Sequence, residues 1–378
     1  MEDFSVAIIA RNEEKTLPRL LESIKGVEDI VVVDTGSTDD TVKIAKEFGC
    51  RVFEVGDKFI ERPTREDVEL FESRYGFKPS FTEESKLFNY GAARNYAASL
   101  TKNEFVFCPD ADEIVTWDLD KVRELLPDCD QLEYRFCYIH DEYGKCALEF
   151  THCKFFRKGM AQWFKKVHEV ILGLEQARVT YTDDIYLDHW QGVHPMNKNY
   201  LQKLEYGALE DEKDDRNIYY LGREYYLLGD SKIAIKMLNI ALENMYWKAE
   251  RGQAYIFIGN CYQNLGMTNE AIIAYHKSLI EYDKRREPFW VLGLFLARIG
   301  RRTSAIAYLE AALTIPYNNK SYLNETDLYS WKIHDYLAYL YINVDKEKMA
   351  YHWLEAVKAR PYDDKILNKA KTYWREDL

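Results

Sequence analysis

The spacing of apolar positions changes its period near residue 190, and the change divides the chain. Before it, short β-branched runs alternate with helical stretches. Ser5-Val6-Ala7-Ile8-Ile9-Ala10 and Asp29-Ile30-Val31-Val32-Val33-Asp34 read as strands. Between them, residues 14–24 have helical spacing, with Leu17, Leu20, Leu21 and Ile24 on one face. Ser37 or Thr38 caps a second predicted helix, whose inner face carries Val42, Ile44, Ala45 and Phe48. A third strand follows at residues 51–55. This βαβαβ opening predicts a parallel sheet covered on both faces. Ligands of such sheets bind beyond the carboxyl ends of the strands. Here those ends are Ala10-Arg11-Asn12-Glu13 and Asp34-Thr35-Gly36-Ser37.

From about residue 197 the spacing is helical throughout, and it repeats. Gly222, Gly259 and Gly293 each precede an alanine by twelve residues, at Ala234, Ala271 and Ala305. Ala338 and Ala350 keep that spacing in a more degenerate fourth copy. Gly229, Gly266 and Gly300 mark a turn in each of the first three copies. Four residues past each of the later alanines stands a large side chain, Leu238, Tyr275, Leu309 or Leu354. Small residues at fixed positions let paired helices approach closely, and the large ones fill the neighbouring groove. The pattern resembles the tetratricopeptide repeat over most of residues 217–361; a generic helical bundle is the plainer alternative. Repeat stacks make extended concave surfaces that hold peptides or partner proteins.

Composition narrows the class. A chain of 378 residues favours two domains, and 47% apolar with 30% charged residues excludes a largely disordered chain. The net charge of −12 argues against a nucleic-acid partner. No window reaches the roughly 18–20 apolar residues of a membrane span, and the N-terminus lacks the features of a signal peptide, so a cytoplasmic location is expected. Seven irregularly spaced cysteines read as reduced, mostly packed thiols. Cys137, Cys146, His152 and Cys153 lack the CxxC spacing that would support a zinc site.

Chemistry concentrates at Phe105-Val106-Phe107-Cys108-Pro109-Asp110-Ala111-Asp112-Glu113. An apolar strand brings two carboxylates to its carboxyl end, and such hard oxygen ligands suit Mg²⁺ or Mn²⁺ bridged to phosphate. An Asp-rich turn ending a strand is the plain alternative. The elements SVAIIARNEE, VVVDTGSTDDT and PDADE follow in this order over the first 113 residues. Together they resemble the family 2 glycosyltransferases, with their GT-A nucleotide-sugar-binding fold, over roughly residues 4–190. The resemblance implies nucleoside contacts from Ala10, Arg11, Asn12 and Glu13, a nucleobase contact from Asp34, and a tight turn at Gly36 and Ser37. It places Asp110 near the ribose and makes Asp112 a metal ligand.

Two later segments extend the likeness. Asn89-Tyr90-Gly91-Ala92-Ala93-Arg94-Asn95 opens a predicted helix, and the resemblance places Arg94 near the diphosphate; a solvated surface arginine is the alternative. Phe155-Phe156-Arg157, Trp163 and Val167-His168-Glu169 match a run after the acid pair in related enzymes. An adjacent His and Glu at a pocket rim suits a general base or a metal ligand. In metal-dependent GT-A enzymes a late histidine often completes the metal shell, which points to His189 here. That leaves His168 and Glu169 on the acceptor side; the other histidines read as structural. The roughly thirty residues at 56–88 are long for the family, with one amphipathic helix expected at residues 66–75, as a lid, part of an acceptor groove, or a surface decoration.

The resemblance implies an inverting, metal-dependent transferase taking sugar from a nucleotide-diphosphate donor, UDP-hexose being the expected one. Its domains are expected at residues 1–195 for the GT-A half, 196–216 for a helical linker and 217–378 for the all-α repeats. Fusion to a repeat stack resembles the peptide S-glycosyltransferases of glycocin bacteriocins, which implies a peptide or protein acceptor at Cys or Ser. Lipid-linked or surface-polysaccharide precursors remain alternative acceptors. Homodimerisation through the repeats is a competing use of that domain. A non-catalytic scaffold and a nucleotidyltransferase are the rival classes; the intact acid pair argues against the first, and the missing Gly-rich, Lys-bearing loop against the second.

Overall fold

The structure, a computed structural model, describes residues 3–190, 199–211, 215–318 and 322–374. The chain divides into two compact units, Met1–His140 with Phe150–Glu224, and Asp141–Glu149 with Tyr225–Leu378.

The first unit begins with the expected alternation: β1 (Phe4–Ala10), α1 (Leu17–Ser23), β2 (Asp29–Asp34), α2 (Thr41–Glu47) and β3 (Arg51–Glu54). Then follow β4 (Ile60–Glu61), α3 (Arg65–Tyr75), β5 (Leu87–Phe88), α4 (Tyr90–Ser99), β6 (Phe105–Phe107), β7 (Glu113–Trp117) and α5 (Leu119–Leu125). The rest is β8 (Gln131–His140), β9 (Cys146–Arg157), β10 (Ala161–Phe164), β11 (Val170–Gly173), β12 (Val179–His189), α6 (Tyr200–Gly207) and α7 (Asp215–Leu227). The main sheet runs in the order β3-β2-β1-β6-β9-β8-β12-β7. It is mixed and mostly parallel: β1 pairs in parallel with β2 and β6, β2 with β3, and β12 with β8. β9 is antiparallel to β6, and β7 to β12.

Both faces of this sheet are dry. Val6 and Ile8 of β1 join Leu17, Leu20 and Leu21 of α1 in one core, while Ala7 joins Val31, Val33, Val106 and α4 residues Ala97 and Ala98 in another. Alternate residues of a strand point to opposite faces, so a near-continuous apolar run is what such a strand needs. Two local expectations shift. Ser37 and Thr38 do not cap α2, whose N-cap is Asp40; their polar groups instead bond Asn12. Phe48 is 37% exposed because α2 ends at Glu47 and leaves Phe48 at the C-cap.

The segment at 56–88 forms a small packed subdomain. α3 begins in a capping box between Thr64 and Asp67, and Phe71 and Phe81 bury against each other. Tyr75 donates to the Ala208 carbonyl and Ser80 to Glu205, tying the segment to α6.

The second unit is helical: α8 (Ser231–Asn244), α9 (Lys248–Asn264), α10 (Thr268–Glu281), α11 (Arg286–Arg298), α12 (Arg302–Leu313), α13 (Lys332–Tyr341), α14 (Lys346–Ala359) and α15 (Asp364–Trp374). A short strand, β13 (Asn324–Glu325), pairs with Leu148 and Glu149. Gly229, Gly266 and Gly300 take left-handed φ at the predicted turns. A Cβ on Gly259 would lie 2.4 Å from the Tyr275 ring, and one on Gly293 2.7 Å from Leu309, so the small–large spacing is a close helix contact. In the fourth copy the frame is shifted by one residue: Met349 and Trp353 are buried, whereas Leu354 is 39% exposed.

His352 is buried here, its Nδ1 2.9 Å from Nδ1 of His334. Burial, then the charge of His334, pushes its pKa down to about 4. A folded-state pKa below the unfolded value of about 6.5 gives stability that is present above pH 6.5 and lost as pH falls toward 4, where the unfolded chain takes up the proton first. His352→Phe is expected to flatten the fall in melting temperature of the repeat unit between those pH values. An unchanged slope would show that His352 takes up its proton alike in the folded and unfolded chain.

Among the described residues, no helix is long and apolar enough to cross a membrane. Cys50, Cys108, Cys129, Cys153 and Cys261 are free thiols. Cys137 is disulfide-bonded, as is Cys146, in contrast to the seven reduced thiols expected.

Candidate active site

A cleft of about 1170 Å³ opens in the first unit at the carboxyl ends of β1 and β6. That is ample for a nucleotide-sized ligand. Ala10, Arg11, Asn12 and Glu13 form one wall. Asn12, at φ +58, accepts at Oδ1 from the Thr38 N–H, and its own N–H donates to Ser37 Oγ. Thr41 Oγ1 accepts from the Glu13 N–H, and Asp39 accepts from the Glu14 N–H. The two strand-end loops are thus laced together. Asp34, Gly36 and Ser37 stand behind this wall rather than on it: the buried Asp34 carboxylate accepts from the Gly36 and Ser37 N–H groups and closes the turn. Asp39, which sequence reasoning passed over, lines the cleft instead.

Asp112 and His189 meet because β7 and β12 pair in antiparallel register, Glu113 opposite His189. His189 Nε2 lies 3.1 Å from Asp112 Oδ2, and Nδ1 lies 3.3 Å from the Tyr138 carbonyl. The ring also stacks on Tyr138. Burial works against charge on His189, but Asp112 outweighs it and its pKa is raised. A carbonyl on Nδ1 fixes the tautomer that frees Nε2, the arrangement found behind metal-bound histidines. Adjacent ligands about 2.1 Å from an octahedral ion lie roughly 3 Å apart, close to the separation seen. Asp112 and His189 therefore fit a divalent cation.

Asp110 has a different setting. Its Oδ2 accepts from Lys154 Nζ at 2.6 Å, and its Oδ1 pairs with Arg94 Nη2. Burial would raise its pKa, yet Arg94 and Lys154 hold the carboxyl well below the usual range. Lys154 also bonds Glu113 Oε1, and Glu113 accepts the Asp110 N–H at 2.8 Å. Glu113 is pushed up to about 7, burial outweighing Lys154. Arg94 donates through Nε to Glu169 at 2.6 Å and through Nη1 to the Cys108 carbonyl at 3.4 Å, over the face of Trp163. Burial opposes its charge, and Asp110 and Glu169 restore it. Arg94 is thus neither solvated nor turned to an open anion site: its nitrogens serve protein acceptors. Glu169–Arg94–Asp110–Lys154–Glu113 form one chain of three acids and two bases, of which Glu169, Arg94 and Asp110 line the cleft. Lys154 was missed in the sequence because nothing local singles it out: it stands in a strand of mixed polar and apolar residues, just before Phe155-Phe156-Arg157.

His168, at φ +51, lines the cleft with Glu169. Its Nε2 bonds the Tyr200 hydroxyl, and its ring stacks on Tyr220 with centroids 3.6 Å apart. Burial, then Arg223 and Arg216, pushes its pKa well down, so the ring is neutral. Lys203 of α6 also faces the cleft and donates to the Tyr90 hydroxyl at 2.9 Å.

Residues 5–59 match the family model described as Glycosyl transferase family 2, and residues 252–279 match the Tetratricopeptide repeat model. An uncharacterized glycosyltransferase of Rickettsia typhi (strain ATCC VR-144 / Wilmington) is 30% identical over 145 residues, 38% of this chain and 36% of the relative. A 4,4'-diaponeurosporenoate glycosyltransferase of Staphylococcus haemolyticus (strain JCSC1435) is 44% identical over 57 residues, 14% of this chain and 15% of the relative. The glucosyl-3-phosphoglycerate synthase of Petrotoga mobilis is 41% identical over 61 residues, 14% of this chain and 19% of the relative. The chain spans a little over a third, 36% and 38%, of the first two Rickettsia relatives it matches. Among solved structures, YrrB, a TPR protein with an unusual peptide-binding site, aligns with TM-score 0.37 and 17% identity, covering 47% of this chain and 84% of that one.

Proposed function

We propose that the first unit catalyses glycosyl transfer from a nucleotide-diphosphate sugar, UDP-hexose, to a cysteine or serine side chain of a peptide or protein, with inversion. The observation that carries this reading is the Asp112–His189 donor pair, held at the end of a doubly covered, mostly parallel sheet beside a cleft of about 1170 Å³. The family match over residues 5–59 supports the reaction class, and the repeat match supports a protein acceptor.

Asp112 and His189 would hold Mg²⁺ or Mn²⁺, whose chemistry is neutralising the charge of the departing diphosphate. The laced loops carrying Arg11, Asn12 and Glu13 offer polar groups to the nucleoside. Asp110 acts indirectly: gripped by Arg94 and Lys154, it sets the carboxyl-terminal turn of β6 that carries Asp112. Cationic help for the diphosphate falls to Lys203 and Arg11 rather than to Arg94. Glu169 faces the cleft and is the group placed to take the acceptor proton, Arg94 fixing its orientation. A thiol acceptor, with an ordinary pKa of about 8.5, demands less of a base than a hydroxyl. Neutral His168, seated on Tyr220, shapes the acceptor side.

The test incubates the full chain with a panel of nucleotide sugars and Mn²⁺, with and without a library of Cys- and Ser-containing peptides. Nucleotide release and a hexose mass on one peptide are expected. Release with a mass only on lipid-linked saccharides would move the acceptor. Neither release nor donor binding would leave a non-catalytic scaffold.

A further inference from the structure

On the same sheet, Cys137, His140 and Asp188 converge, Cys137 and Asp188 each one residue along β8 and β12 from Tyr138 and His189. β8 and β12 run parallel with Cys137 opposite Asp188. Asp188 and His189 are consecutive residues of one strand, so their side chains leave opposite faces. His140 Nε2 lies 3.0 Å from Asp188 Oδ1 and 3.5 Å from Cys137 Sγ. All three donor atoms lie within 4.8 Å of one another. Trp190 stacks on the His140 ring at 4.3 Å and holds its plane.

Tetrahedral zinc, with bonds of about 2.3 Å to sulfur and about 2.0–2.1 Å to nitrogen and oxygen, sets S···N near 3.6 Å and N···O near 3.3 Å. The separations present are 3.5 and 3.0 Å. Cys137 and His140 stand three residues apart, close enough along the chain to reach one ion.

The geometry points to a zinc site of Cys137, His140 and Asp188, filled when Cys137 is a free thiol and closed when it is disulfide-bonded, as it is here. Opening is a two-electron step: a thiol reductant supplies two electrons and two protons to the disulfide, and becomes a disulfide itself. The S–S bond breaks and two thiols form. Cation binding then displaces the Cys137 proton to solvent, leaving thiolate, neutral imidazole and carboxylate as ligands and the fourth position to water. The site is separate from the proposed transfer chemistry and acts as a redox-responsive metal store on the same domain.

Co²⁺, which reports thiolate ligation by its near-ultraviolet charge-transfer band and tetrahedral geometry by its visible bands, is the probe. The phosphine-reduced full chain is expected to show both bands at one ion per chain, to lose them to Zn²⁺, and to lack them when oxidised. Cys137→Ser is expected to remove the charge-transfer band, and His140→Ala and Asp188→Asn to weaken binding, with far-ultraviolet circular dichroism checking each fold. Asp112→Ala is expected to keep both bands, which separates this site from the cleft pair. Identical spectra for reduced wild type and Cys137→Ser, or bands lost with Asp112→Ala instead, would overturn the assignment.

Discussion

Asp112→Ala is expected to lower metal-dependent turnover of the nucleotide sugar by about 10²–10³-fold or more while leaving the melting temperature of the first unit nearly unchanged. Two features separate the effects. Asp112 Oδ2 meets His189 Nε2 at 3.1 Å, and that contact lies at the cleft surface. Its loss costs roughly 1 kcal/mol of stability. For catalysis, the same change removes the hard ligand that a cation at the diphosphate requires, and transition-state charge is then uncompensated. His189→Ala is expected to fall in the same direction and to shift the preference between Mg²⁺ and Mn²⁺, because imidazole favours the softer ion. Steady-state nucleotide release over a Mn²⁺ titration reads both. Near-normal turnover in both variants would remove the cation from this pair.

Lys154→Met inverts that pattern, with a large loss of stability. Lys154 is buried and bridges Asp110 and Glu113, its own pKa raised because those two carboxylates outweigh burial. Deleting the cation leaves the buried Glu113 carboxylate unpaired and half-buried Asp110 with only Arg94 to compensate, and breaking a buried pair such as Lys154–Glu113 costs about 3–5 kcal/mol. Adding Glu113→Gln removes one of the stranded charges, so the double variant is expected to recover part of the loss, a coupling that only groups in contact show. Urea unfolding of the single and double variants measures it. A loss under about 1 kcal/mol for Lys154→Met would mean that the two carboxylates protonate at little cost.

Much of the architecture is legible from spacing alone. The runs at residues 5–10 and 29–34 lie in β1 and β2 because such apolar, β-branched runs suit only strands buried on both faces. The Gly259–Tyr275 and Gly293–Leu309 pairs recur at sixteen residues because a helix pair fixes where a small residue must face a large one. Where a copy drifts, as at Trp353, the periodic rule keeps its form and loses its register.

Local pattern also marked which side chains stand near the cleft, since Arg11, Glu13, Asp110, Asp112, His168, Glu169 and His189 all line it. It was silent on what each one touches. Arg94 looked free for an anion, and only packing α4 against β6 set it between Asp110 and Glu169. Lys154 is 44 residues from Asp110 and Asp112 is 77 from His189. Cys137 and Asp188 became neighbours by the pairing of β8 with β12. Period, capping and turn chemistry act over a few residues, so the sequence by itself determined the elements, the two-part organisation and the reach of the cleft loops. Charge compensation and ligand geometry act over a few ångströms of space. Which carboxylate is neutralised, and by which cation, was decided only when strands far apart in the chain came to lie side by side.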